Sequence, residues 1–288
     1  MRGEGSSSRV PTAKSDELRA VAQRVADALP ADVEEVVVTG SVSRGVADDV
    51  SDVEMLVVTR EPLQLEEAFA HTRSAGLTAL DTWGAQGGPE RKVSGYYDGV
   101  PFELIWWSRE FGETRIDALL AGEVSSSADA LVHGIALRSA GLLPVWQERL
   151  REVPEEIAAK HIEEAALPWG GFTPVGLLTL IRPGDRAALM EWIHDGANRV
   201  LAIVYALNRS WPPTTKRLAA RVESLAVKPE RLAERIEVAL TEPDPRLALL
   251  EMTELQLETV RLAPSGPNID RARTWLAEGV EVLIRHGQ

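Results

Sequence analysis

Val36-Val37-Val38-Thr39-Gly40-Ser41-Val42-Ser43-Arg44-Gly45, followed after Ser51 by Asp52-Val53-Glu54-Met55, decides the fold of the first half of this chain. The β-branched run before Gly40 is too short for a helix and reads as a buried strand. A glycine directly after it lets the backbone approach a phosphate, and Ser41 adds a hydroxyl donor. N–H groups at the turn or helix start that follows complete an anion cradle. Ten residues separate Ser41 from Asp52. In a second strand over Val53–Val58, alternation places Asp52 and Glu54 on one face, with Val53 and Met55 on the other. Two carboxylates side by side repel, and a divalent cation between them is the simplest compensation. Arg44 and Ser51 lie inside the same motif as candidate nucleotide-binding residues.

Working outward, Leu18, Val21, Ala22, Val25, Ala26 and Leu29 recur at helical spacing after Ser15, a candidate N-cap, and stop at Pro30. A helix over Leu63–Ala75 and a strand over Leu77–Trp83 follow. After the Gly-rich stretch Gly84–Pro89, Lys92–Tyr97 and Val100–Trp107 flank Asp98-Gly99, a favoured two-residue hairpin turn. Glu103 sits in the apolar run Phe102-Glu103-Leu104-Ile105-Trp106-Trp107, where an isolated charge is costly unless it meets a cation or hydrogen-bond donors. Asp52, Glu54 and Glu103 together form an oxygen-rich set suited to Mg²⁺.

From residue 125 the apolar spacing is three and four almost to the end, and the expected helices are Ala128–Ala140, Glu155–Leu167, Asp185–Asn208, Thr214–Leu225, Pro229–Leu240, Pro245–Leu262 and Ile269–Arg285. The expected organisation is therefore a disordered leader over residues 1–13, an α/β domain with a mixed sheet over 14–124, and an all-helical, acceptor-binding domain over 125–288. The net charge of −13 argues against a nucleic-acid partner, whose backbone calls for clustered Lys and Arg. The same acidity suits a polycationic small molecule. The chain has no cysteine, which excludes disulfides and thiolate chemistry and fits a cytoplasmic protein. No apolar run is long enough for a membrane span, and neither a P-loop nor a dinucleotide glycine motif occurs.

The run Gly40-Ser41, ten residues, then Asp52-Val53-Glu54, with a further acidic residue in a later strand, resembles the signature of the polymerase-beta-like nucleotidyltransferase superfamily. Ser51-Asp52-Val53-Glu54-Met55 and the helical second half look most like its kanamycin (aminoglycoside) nucleotidyltransferase branch and that branch's bacterial relatives. The resemblance implies that Asp52 and Glu54 hold Mg²⁺ and that Gly40 and Ser41 hold the β- and γ-phosphates of a nucleoside triphosphate. It also implies a homodimer. The activity implied is transfer of a nucleoside monophosphate to a hydroxyl of a small, antibiotic-like acceptor. Two alternatives stand beside it: nucleotidylation of a protein or RNA, and a non-catalytic nucleotide sensor. In the kanamycin branch the general base is a glutamate on a helix of the second domain, for which Glu163 and Glu164 are the candidates here. Glu103 is the alternative base, and it is preferred because its strand is firmly placed.

Lys216, after the Trp211-Pro212-Pro213 break, is a candidate triphosphate contact. His194-Asp195 looks like a dyad, but adjacent helical positions do not face each other. Of the eight tryptophans, Trp169 and Trp211 lie in Pro-Gly contexts where stacking on a base or sugar competes with core packing.

Overall fold

The computed structural model describes residues 10–84, 88–166 and 173–287. Within these, α1 (Ala13–Ala28), β1 (Val33–Val38), the short turn α2 (Gly40–Ser43), β2 (Val53–Thr59) and α3 (Leu65–Ser74) follow in order. Then come β3 (Thr78–Thr82), β4 (Arg91–Tyr97), β5 (Val100–Ser108), α4 (Arg109–Leu120), α5 (Ser127–Val132), β6 (Ile135–Arg138) and α6 (Leu142–Arg149). The strands form one six-stranded mixed sheet in the order β3-β4-β5-β2-β1-β6. β2 and β5 pair in parallel, while β4 and β5 form the expected hairpin, Tyr97 opposite Val100. Asp98 and Gly99 both take positive φ, as the tight hairpin turn demands.

Alternation fixes what each face of the sheet does. Val36, Val38, Val53, Met55, Val57, Phe102, Leu104 and Trp106 share a core with Leu18, Val21, Ala22 and Val25 of α1 and Ala68 of α3. Burying each large side chain there contributes about 1.5–3 kcal/mol. The opposite face of β2 and β5 therefore carries Glu54 and Glu103. The cap of α1 is Thr12, whose Oγ accepts from the N–H of Ser15. Ser15 is instead buried, and its hydroxyl accepts from the N–H of Ala47 at 2.9 Å. Thr12 is tied to Gly45 and Ala47 as well, so order begins ahead of the expected boundary at residue 14. The rest of the expected leader, residues 1–9, lies outside the described residues.

The helix expected over Ala128–Ala140 is α5 followed by the edge strand β6, which pairs antiparallel with β1. Gly134 permits this, since a Cβ there would lie 2.6 Å from Val37 Cγ1. Arg138 then donates to the carbonyls of Ala26, Leu29 and Pro30, satisfying the open end of α1. Residues 127–151 accordingly group with the sheet in one compact unit, and residues 124–126 and 152–288 form the other.

The second unit is helical: α7 (Glu155–Ala165), a 3₁₀ segment (Pro174–Ile181), α8 (Arg186–Leu207), α9 (Leu218–Val222), α10 (Leu232–Thr241), α11 (Pro245–Leu262) and α12 (Pro267–His286). The expected helix Thr214–Leu225 shrinks to α9, preceded by Arg217 in the left-handed region. α8 and α11 approach closely at Gly196, where a Cβ would come within 2.9 Å of Met252 Cγ. Leu189, Ile193, Val200, Leu249 and Met252 fill the core between them. Among the described residues no helix is long and apolar enough to cross a membrane.

Candidate functional site

The site grows out of the end of β1. Thr39 continues the pairing with β2, its N–H donating to the carbonyl of Glu54 at 2.9 Å. Gly40 then turns the chain with φ of +65°, a conformation that L side chains resist. The turn is short and fixed from inside: Val42 is fully buried, and the Ser43 hydroxyl donates to Gly40 O at 3.2 Å. The N–H of Val46 returns to Ser41 O at 3.0 Å.

Glu54 uses the space that glycine leaves. A Cβ on Gly40 would lie 1.7 Å from Glu54 Oε2, so the carboxylate lies directly over the turn. The glycine is thus required twice, once for φ and once for the carboxylate.

Asp52 lies immediately ahead of β2, and Glu54 within it is the register partner of Glu103 across the parallel β2–β5 pair. All three are half-buried. Ser94 of β4 registers with Glu103 and Lys92 with Ile105, so both join this face. Lys92 is paired with Glu90 at 2.8 Å, and Glu90 also accepts from the Trp107 indole at 3.3 Å. Neither Ser94 nor Lys92 belongs to a sequence motif, but counting back from the Asp98-Gly99 turn assigns both to the face of Glu103.

The donor chemistry of the carboxylates fits a hard cation such as Mg²⁺, and the backbone register already brings their strands together. As the side chains stand, no three acidic or histidine groups among the described residues gather closely enough to hold a metal.

The other expected residues have distinct placements. Ser51 closes the turn ahead of Asp52, accepting from the N–H of Asp48 and donating to its carboxylate, both at 2.9 Å. Arg44 forms an ion pair with Asp129 of α5, with side chains only 18% and 12% exposed. That pair binds the end of α2 to α5, so the guanidinium is committed to Asp129. Lys216 is exposed in the helical unit, where its carbonyl accepts from Arg221 Nε at 2.8 Å.

The two helical glutamates differ sharply. Glu163 accepts from the N–H of Asn268 at 2.9 Å, at the start of α12, and its carbonyl accepts from the Asn268 amide at 3.1 Å. It serves as the missing cap of a helix whose N-cap residue, Gly266, has no side chain. Glu164 is exposed, 3.8 Å from Lys160. His194 is exposed, while Asp195 lies 3.8 Å from Arg199, with burial raising its pKa. Trp211 is buried, and Trp169 lies outside the described residues.

No family model matches this chain, and no curated protein matches it. Among solved structures, a nucleotidyltransferase-like protein from Exiguobacterium sibiricum is similar at 14% identity and a TM-score of 0.36, covering 95% of this chain and 92% of its own. A likeness at that level leaves function to be argued from the site itself.

Proposed function

We propose that the sheet unit binds a nucleoside triphosphate with Mg²⁺ and transfers its nucleoside monophosphate to a hydroxyl of a small acceptor, releasing pyrophosphate. The observation that carries this reading is the Gly40 turn with Glu54 lying over it and Glu103 in register beside it, with Asp52 directly ahead of the same strand. Asp52, Glu54 and Glu103 would hold the cation, whose chemistry is to neutralise charge on the phosphates and on the oxygens that attack and leave. The Gly40–Ser41 backbone and the Ser41 hydroxyl hold the β- and γ-phosphates. Ser51 positions Asp52 by closing the turn before it, and Arg44 positions the cradle through Asp129.

The acceptor oxygen forms a bond to the α-phosphorus while the bond from that phosphorus to the β-bridging oxygen breaks. Its proton passes to Glu103, and the electron pair leaves with pyrophosphate. The acidic chain favours a cationic acceptor, and an aminoglycoside-like polyamine with free hydroxyls is the class that best combines both requirements.

The test is incubation of the full chain with α-³²P-labelled triphosphates, MgCl₂ and a panel of hydroxylated amines. The expected result is a labelled small molecule whose formation stops on chelation and in Asp52→Ala. Product that persists in Asp52→Ala overturns the assignment. Label on the protein itself moves the acceptor to a polypeptide, and binding without turnover makes the chain a nucleotide sensor.

A further inference from the structure

The carboxylate face of the sheet is not covered evenly. Along β5 it runs from Trp107, which is buried and meets Phe111 of α4 edge-on at 5.4 Å, through half-buried Ile105 and Glu103 to exposed Pro101. β4 shows the same gradient, with Lys92 and Ser94 half-buried and Tyr96 50% exposed. Val93 packs in the core, so alternation places Ser94 and Tyr96 on the face of Glu103. The hairpin end of that face is therefore open, and an aromatic residue stands on the open part.

Its neighbours hold Tyr96 in place. Its register partner is Pro101, which has no N–H and so takes a place in the ladder where none is donated. Opposed side chains lie closest at such non-hydrogen-bonded pairs, which places the proline beside Tyr96. On the other side Thr78 of β3 registers with Tyr96, and its hydroxyl donates to Tyr96 O at 3.3 Å.

The register also ties Tyr96 to the proposed base. Ser94 is the partner of Glu103, so Tyr96 is the diagonal neighbour of Glu103 across the hairpin. Diagonal pairs stand about 7–8 Å apart, within reach of an aromatic side chain. The charge beside the ring is negative: Glu54 is in register with Glu103, and Asp81 of β3 is the partner of Ser94 on its other side. Lys92, one pair further from the turn, is ion-paired with Glu90 at 2.8 Å.

We propose that Tyr96 is the specificity residue for the acceptor, taking an ammonium-bearing saturated ring on its aromatic face while a hydroxyl of the same ring meets Glu103. Aromatic faces attract cations through their quadrupole, and a substituted six-membered ring is long enough to span the diagonal from Tyr96 to Glu103. A neutral polyol would lose the attraction of the face, and an open-chain diamine would lose the ring contact. The inference rests on the transfer reading only in calling the ligand an acceptor, since the contact itself is measured without turnover.

The experiment compares 2-deoxystreptamine, a diamino cyclitol, with myo-inositol and 1,4-diaminobutane by isothermal titration and ligand-observed NMR. The full chain is used at low salt, with Mg²⁺ and a non-hydrolysable triphosphate present. The diamino cyclitol should bind about tenfold more tightly than either control. Tyr96→Leu keeps apolar bulk without an aromatic face and should weaken it roughly fivefold, whereas Tyr96→Phe should leave it unchanged. Triphosphate affinity, read with a fluorescent trinitrophenyl analogue, should be equal in all three proteins, and thermal denaturation confirms that each folds. Absence of cyclitol binding by the wild type at millimolar ligand would overturn the proposal, as would equal affinity in the wild type and Tyr96→Leu. A loss of triphosphate affinity in Tyr96→Leu would also overturn it, by placing the ring under the nucleobase. Tyrosine-dependent cyclitol binding without any labelled product would uphold the role of Tyr96 and sink the transfer reading. Labelled product with an unchanged acceptor KM in Tyr96→Leu would do the reverse.

Discussion

Replacing Gly40 by alanine tests the site at its centre, because a single methyl group asks two separate questions. The first concerns the backbone: with φ at +65°, any Cβ incurs the left-handed penalty of about 1–2 kcal/mol. The second concerns Glu54, whose Oε2 would lie 1.7 Å from the new carbon and must retreat beyond about 3.0 Å. The obstacle is the far end of a flexible side chain, so that retreat costs little stability, but it moves a proposed cation ligand by more than an ångström. Misplacement on that scale costs on the order of 10²-fold in rate.

Gly40→Ala should therefore melt about 2–8 °C lower and lose about a hundredfold in nucleotidyl transfer and in Mg²⁺-dependent triphosphate binding. Gly40→Asn separates the two effects. Asparagine tolerates the left-handed region, so stability should recover in part, while its Cβ still displaces Glu54 and activity should stay as low as in the alanine variant. In a Glu54→Ala background, Gly40→Ala should cause no further loss of binding. Recovery of activity along with stability in Gly40→Asn, or wild-type turnover in Gly40→Ala, would refute the reasoning that the glycine exists to admit the carboxylate.

Three further perturbations address the supporting structure. Arg44→Met leaves the Asp129 charge buried without its main partner and should cost about 3 kcal/mol in urea denaturation, most of it recovered in Arg44→Met/Asp129→Leu. Glu163→Ala removes the cap of α12 and should cost about 1 kcal/mol in the same measurement. Gly266→Ala should match it, because φ of −169° suits any residue and only the clash of its Cβ with Glu163 Oε1, at 1.8 Å, matters; the two losses should not add. Glu254 has its pKa raised by burial and then by Glu251. The folded state thus holds that proton more tightly than the unfolded one, and its contribution to stability declines as pH rises through the interval above the ordinary glutamate value. Glu254→Gln should therefore melt higher than wild type at neutral pH, with the difference closing as the pH falls below that value.

Much of this was legible because the signals are local. The strand before Gly40, the Asp98-Gly99 hairpin and the long helices α8, α11 and α12 each rest on patterns contained within the element. β6 is different: Ile135–Arg138 becomes a strand only because β1 offers an edge and Gly134 allows the approach, neither of which its own sequence announces. Thr12 displaced Ser15 as the cap of α1 for a similar reason, since the Ser15 hydroxyl is drawn off by Ala47, 32 positions away. In the site, alternation put the carboxylates on one face and hairpin register would have added Ser94 and Lys92. Their mutual distances depend on rotamers, which no periodicity encodes.

The choice of general base follows from the same contrast between local and distant partners. Glu163 looks solvated in the sequence because the group that employs it, Asn268, is 105 positions away. Both glutamates that lie over a glycine, Glu54 over Gly40 and Glu163 over Gly266, occupy space that a Cβ would fill, but the backbones differ. At Gly266 the chain is extended and the glutamate closes the N-terminus of a 20-residue helix, a sufficient structural reason for its presence. At Gly40 the backbone is strained for any other residue, and the helical turn it opens is only four residues long. A helix that short has little dipole to satisfy, so capping of the Glu163 kind accounts poorly for Glu54. With Glu163 occupied at the start of α12 and Glu164 exposed beside Lys160, we keep Glu103, which β5 holds in register with Glu54, as the proposed base.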